Sequence, residues 1–153
     1  MKDSHIGSYG TIGLILYFVL YYSLLSSFDP AMIFPIAIAA DCFSKFCTGV
    51  MINTLPYARK EEECKNRVIY SKVRVLIFIL VGAITMIPFF FMKDIAFALA
   101  MVPAILVAVV LRFYFKAKIG GYTGDCCGAS VLIIEQVFYL GILIIWCRHQ
   151  FLF

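Results

Sequence analysis

Long apolar runs, broken by short charged stretches, fill most of the chain. Three runs carry no charge at all: residues 6–28, hydrophobic from about Thr11, then 75–92 and 95–111. Two more are nearly as clean. Residues 30–57 contain only Asp41 and Lys45 as charged groups, and 129–147 contain only Glu135. A membrane-crossing helix needs about 20 mostly apolar residues. The pattern therefore predicts five transmembrane helices, at about 11–28, 31–56, 75–92, 95–112 and 129–147. Strands of a membrane barrel would alternate over roughly ten residues. These runs are continuous instead, and rich in Leu, Ile, Phe and Ala. Pro35, Pro88 and Pro103 fall inside them, as kinks of the sort membrane helices tolerate. The expected fold is an all-α polytopic membrane bundle, a single domain over residues 1–153.

Composition agrees. Of 153 residues, 63% are hydrophobic and 14% charged, and the mean hydropathy is +0.97. Soluble domains are roughly 45–50% apolar and about 25% charged. A chain this long buries only about 70% of its unfolded surface, so a water-soluble fold could not hide so much apolar area. An ordinary globular enzyme, a disordered chain and a nucleic-acid module are excluded. The net charge of +4 is too small and too local to argue for a nucleic-acid partner. The lipid bilayer is the expected surrounding.

The charges that do occur set the orientation. Cytoplasmic loops of membrane proteins are enriched in Lys and Arg. Loops on the N-terminal side hold Lys2, Arg59, Lys60, Lys65, Arg67, Lys72, Arg74, Arg112, Lys116 and Lys118, ten of the thirteen basic residues. The opposite side has Lys93 and Arg148, and Lys45 lies within a span. The N-terminus and the loops at 57–74 and 113–128 are thus expected in the cytoplasm. The first run is too long for a cleaved signal peptide and reads as a span. The six cysteines form no CxxC pair. Three of them, Cys64, Cys126 and Cys127, face the reducing side, so no disulfide framework is expected.

Polar candidates gather toward the cytoplasmic side. In Lys2-Asp3-Ser4-His5-Ile6-Gly7-Ser8-Tyr9-Gly10, Asp3 or Ser4 could cap the first helix, while Gly7 and Gly10 permit close approach of a ligand or helix. The segment Gly120-Gly121-Tyr122-Thr123-Gly124-Asp125-Cys126-Cys127-Gly128-Ala129 packs four glycines into nine residues ahead of the last span. Its backbone opens into a helix N-terminus, which favours anions. Asp125 has two readings. It could cap that helix, or as a hard oxygen ligand it could hold Mg²⁺ together with substrate phosphates. Arg59, after Pro56-Tyr57-Ala58, is a topology anchor or a phosphate clamp. Within the membrane, Asp41 and Lys45 share a helix face at i,i+4, and Glu135 could pair with Lys45 or face a water-filled cavity. Intramembrane charges of this kind are functional candidates by default, a self-neutralised pair being the plain alternative.

Three of these segments resemble one family. Lys2–Gly10 is similar to the "KDSRxGxxG" segment of the cobalamin synthases, the adenosylcobinamide-GDP ribazoletransferases. Leu55-Pro56-Tyr57-Ala58-Arg59 resembles the family's "PYAR" helix end, and Gly120–Ala129 its "GGxTGDxxGA" signature. Glu135 falls where the family commonly has an acid. Order and separation match over nearly the whole chain. The resemblance implies a multi-pass transferase of the prokaryotic cytoplasmic membrane with its active face in the cytoplasm. Such enzymes join adenosylcobinamide-GDP to α-ribazole or its 5′-phosphate in cobalamin biosynthesis, releasing GMP with Mg²⁺ as cofactor. It further implies Asp125 and Asp3 as catalytic, metal-holding carboxylates. Lys2, Arg59, Gly120, Gly121, Thr123, Gly124 and Lys45 are then the phosphate-binding set, with Asp41 and Glu135 as intramembrane polar groups.

The chain also departs from the family pattern. Members carry an acidic "DGLADTADG"-like stretch shortly before the "KDS" segment, and this chain begins at that segment. His5 stands where an Arg is common, and Lys45 lies near a frequent Arg. The expectation is a C-terminal portion of the family domain, impaired in catalysis on its own. A small membrane subunit for transport or vitamin uptake is the alternative, since prolines and midplane charges would suit it. Against it, the motif residues gather on one side. Homo-oligomerisation is left open.

Overall fold

The computed structural model describes residues 7–58, 73–92 and 95–152, without the side chains of 95 and 149–152. Helix α1 spans Ser8–Ser26, α2 Pro30–Thr54, α3 Val75–Thr85, α4 Met101–Ile119 and α5 Gly124–Leu152. Two 3-10 turns, Ile87–Phe91 and Ile95–Ala100, lie between α3 and α4. The protein is an all-α polytopic membrane bundle.

Four of the predicted spans match helical segments long and apolar enough to cross a membrane: Ser8–Ser26, Pro30–Thr54, Ala96–Ile119 and Gly124–Arg148. The remaining one, Val75–Phe91, is shorter. There α3 stops at Thr85 and the chain tightens into a 3-10 turn around the buried Pro88. Proline has no N–H to continue the α-helical ladder, which accounts for the change of winding. Two boundaries also differ from expectation. Helix α4 continues through Arg112 and ends with Lys116 and Lys118 in its last turn, where cations complement the helix dipole. Helix α5 starts at Gly124 rather than near 129.

The helix ends follow local chemistry. Asp29 caps α2 by accepting from the Ala31 amide at 3.0 Å, and Pro30 occupies the first turn, where its missing N–H costs nothing. Helix α1 begins at Ser8 behind Gly7, with no side-chain cap. The residues expected to cap it, Asp3 or Ser4, lie outside the described ones. Gly120 ends α4 in the left-handed region, at φ 74°.

Helix α5 is the central element, packing against α1, α2, α4 and the Ile95–Ala100 turn. The core joins Ile36, Ala40 and Phe43 of α2 and Ala104 of α4 to Ile134, Phe138 and Ile142 of α5. Phe43 and Phe138 meet with ring centroids 5.6 Å apart. The outward faces of α1, α3 and α4 show Leu, Ile, Val and Phe to the surroundings. That inverts the soluble pattern and suits a lipid solvent.

Candidate functional site

The end of the bundle where α2 stops and α5 starts is built by two chain segments far apart in sequence. After α2 the chain extends through Leu55, whose backbone is in the β region. After α4 it turns at Gly120 and extends again. The two stretches pair as an isolated parallel β-bridge between Tyr57 and Tyr122. The Tyr122 amide donates to the Pro56 carbonyl at 3.0 Å, and the Ala58 amide donates to the Tyr122 carbonyl at 2.9 Å. The Tyr57 and Tyr122 rings meet edge to face at 5.3 Å. Beneath them Met51, Leu55 and Tyr122 form a small buried cluster with Phe115 and Cys127 packed against it.

Glycine is a requirement at two places here. A Cβ on Gly120 would meet nothing, but its positive φ disfavours any other residue. Gly121 is constrained by space instead: a Cβ would fall 2.1 Å from the Pro56 carbonyl oxygen. The bridge can form only if residue 121 lacks a side chain.

The bridged strand leads directly into α5. The Thr123 hydroxyl accepts from the Cys126 amide at 3.4 Å, and the first helical bond runs from the Cys127 amide to the Thr123 carbonyl at 3.1 Å. Thr123 is thus the N-cap, which corrects the capping reading of Asp125. Asp125 sits inside the first turn, exposed. Its carboxylate is therefore available to solvent or a ligand. The amides of Gly124 and Asp125 precede the first helical hydrogen bond and have no partner within the helix.

Among the described residues no group of three or more His, Cys, Asp or Glu could hold a metal ion. Among the described residues Asp125 alone offers a carboxylate at this end. That single hard ligand fits Mg²⁺ bound chiefly through phosphate oxygens, the usual Mg²⁺ pattern of one or two carboxylates. Asp3, Lys2 and Arg59 lie outside the described residues.

The intramembrane charges are arranged differently from two expectations. Asp41 and Lys45 do pair, at 2.7 Å, with side chains 47% and 63% exposed. Lys45 is nine residues before Thr54 on α2, roughly 14 Å along the axis, so it is not gathered with the Gly120–Asp125 loop. Glu135 neither pairs with Lys45 nor lies open. It is buried, and Tyr139 donates its hydroxyl to Glu135 Oε1 at 2.7 Å. The sequence does not single out Tyr139, although its i,i+4 spacing from Glu135 was the available signal. Gln136 is buried beside it, and its amide has no hydrogen-bond partner among the described residues. Cys42, Cys47, Cys126, Cys127 and Cys147 are free thiols, as expected.

Comparison with known proteins adds the family context. The family model described as Cobalamin-5-phosphate synthase matches residues 1–143. The chain is 36% identical to an adenosylcobinamide-GDP ribazoletransferase of Shewanella sp. (strain W3-18-1), over 95% of this chain and 56% of that relative. The protein of that name from Shewanella putrefaciens gives the same figures. That of Shewanella piezotolerans is 31% identical over 95% of this chain and 57% of its own length. The chain thus spans about half the length of the curated relatives it matches. No solved structure matches it.

Proposed function

The chain belongs to the cobalamin-5-phosphate synthase family, and from that premise we propose that it serves the transfer joining adenosylcobinamide-GDP to α-ribazole or α-ribazole 5′-phosphate. In this reaction a ribazole hydroxyl attacks the phosphorus bonded to the corrinoid side chain. The bond to the GMP half of the diphosphate breaks, and GMP leaves. The demands are to neutralise the diphosphate and to hold nucleophile and phosphorus in line.

The observation that carries this reading is the Tyr57–Tyr122 bridge. It fastens the Pro56-Tyr57-Ala58 segment beside the N-terminus of α5, so that the described parts of the two motif segments share one end of the bundle. The open amides of Gly124 and Asp125 receive phosphate oxygens, helped by the positive end of the α5 dipole. Gly120, exposed and with open space where a Cβ would stand, keeps the backbone low enough for a diphosphate to approach, while Gly121 serves the bridge. Arg59, the next residue in sequence after Ala58, is the proposed clamp for a second phosphate. Asp125, with Asp3, holds Mg²⁺, which when bound supplies charge neutralisation. The bridged end lies on the cytoplasmic side of the prokaryotic inner membrane. Support for that comes from Arg74, Arg112, Lys116 and Lys118, the described basic residues at this end, from the basic residues of the flanking sequence, and from the solubility of a diphosphate in water.

The test is GMP release by the purified chain in proteoliposomes, with both substrates and Mg²⁺, read over long incubations because this portion is expected to be slow on its own. Release that falls about 100-fold in Asp125→Asn, and that chelation abolishes, supports the reading. Release unchanged by Asp125→Asn overturns the role of this end of the bundle.

A further inference from the structure

A groove of about 270 Å³ runs between α2 and α4, down from the bridged end of the bundle. Its walls are Phe46, Cys47 and Val50 of α2 and Ile105, Ala108 and Val109 of α4, with Arg112 at one end. Seven residues separate Ile105 from Arg112, about 10 Å of helix rise. The slot is therefore apolar along its length and cationic at one end.

The cation is held in place. Arg112 Nε donates to Thr54 Oγ1 at 3.0 Å, and Thr54 Oγ1 in turn donates to the Met51 carbonyl at 3.1 Å. The guanidinium carbon also lies 5.4 Å from the Phe113 ring centre. One of the five guanidinium N–H groups is used by Thr54. That is the one hydrogen bond Arg112 makes among the described residues. Lys116 follows one turn later on the same helix face. Arg112 is also the first charge after the uncharged run 95–111. It thus stands where the hydrocarbon of a bilayer gives way to headgroups, with the apolar slot on the hydrocarbon side.

We propose that this groove binds an anionic phospholipid, one acyl chain lying along Ala108 and Val109 and the phosphate held by Arg112 and Lys116. Two features of different kind agree on the occupant. The apolar slot demands a hydrocarbon chain, and the anchored Arg112 at its end, with Lys116 one helical turn on, demands a phosphate with net negative charge.

The chain purified in detergent is tested against phosphatidylglycerol, phosphatidylcholine and inorganic phosphate, by native mass spectrometry and thermal shift. Phosphatidylglycerol should be retained and should raise the melting temperature. Phosphatidylcholine should bind at least about fivefold more weakly, and phosphate alone should do nothing. Arg112→Gln should reduce the preference for the anionic lipid about fivefold, the worth of one basic residue near an anionic surface. Equal binding of the two lipids, a shift by phosphate alone, or a preference unchanged in Arg112→Gln overturns the proposal. A variant that keeps Arg112 gives an independent reading should Arg112→Gln fold poorly. Trp146 is the single tryptophan, so Trp146→Phe with Val109→Trp reports on the groove. Bromine-labelled phosphatidylglycerol should quench that fluorescence more than labelled phosphatidylcholine does, and equal quenching overturns the proposal.

Discussion

Helix α5 carries two acids in opposite surroundings. Asp125, in its first turn, is exposed, follows the glycine-rich bridge strand, and neighbours amides that the helix itself cannot satisfy. Glu135, ten residues on, is buried between helices and takes the Tyr139 hydroxyl at 2.7 Å. The first lies where a ligand can reach and where positive potential favours an anion. The second lies where its hydrogen bond is satisfied from within. Identical chemistry thus separates by environment: Asp125 is open to solvent, and Glu135 satisfies a buried tyrosine of its own helix. Substitutions should show that division as a split between activity and stability.

The largest effect is expected where the ligand-side region is assembled. Gly121→Ala sets a Cβ against the Pro56 carbonyl oxygen at 2.1 Å. That atom is backbone, so the bridge must open. Overpacking of this kind costs about 3 kcal/mol, and two backbone hydrogen bonds go with it. Thermal unfolding in detergent should show the loss, together with loss of GMP release. Gly120→Ala is the matched control, with no steric clash and only the left-handed φ against it, about 1 kcal/mol. If the two variants behave alike, the bridge is not what organises this end.

Asp125→Asn comes next and should divide cleanly. Release of GMP should drop about 100-fold, roughly 2.7 kcal/mol of barrier, with the melting temperature unchanged. Glu135→Leu should do the reverse. Removing the acceptor leaves the buried Tyr139 hydroxyl without its partner, which costs about 2 kcal/mol of stability. Glu135→Gln keeps an acceptor and should recover most of it. Activity per folded molecule should change little in either. A Glu135→Gln chain that is stable but inactive would break the comparison, making both acids functional.

Much of this was legible in the chain. The apolar runs, charge-free or nearly so, locate four long helices, because a continuous apolar stretch in lipid has no alternative to a helix. The shortened third segment was less so, since hydropathy sees 75–92 as one run while Pro88 changes the winding inside it. For the site, motif residues were visible but their joining was not. Nothing in Leu55–Arg59 announces a partner 65 residues away, because the bridge is made of backbone atoms that every residue carries. The double glycine at Gly120 and Gly121 was the available trace of it. Glu135 went the other way. A lone acid in an apolar run suggests a cavity or an ion pair, yet a tyrosine one turn on satisfies it.

Thr123 tests the boundary between the two kinds of residue, with the smallest effect. Its hydroxyl caps α5 through the Cys126 amide at 3.4 Å, and it directly precedes Gly124 and Asp125, whose amides are proposed to receive phosphate. Through that observed cap alone, Thr123→Ala should lower stability by about 1 kcal/mol, the ordinary worth of an N-cap. Thr123→Ser restores an oxygen at the same place and should recover that stability, and with it any activity lost through fraying of the first turn. The informative quantity is the residual. If Thr123→Ala lowers GMP release well beyond what its melting temperature accounts for, and Thr123→Ser restores it, the hydroxyl meets substrate as well as the helix end. If activity tracks stability in both variants, Thr123 supports the turn that aims Asp125 and takes no further part.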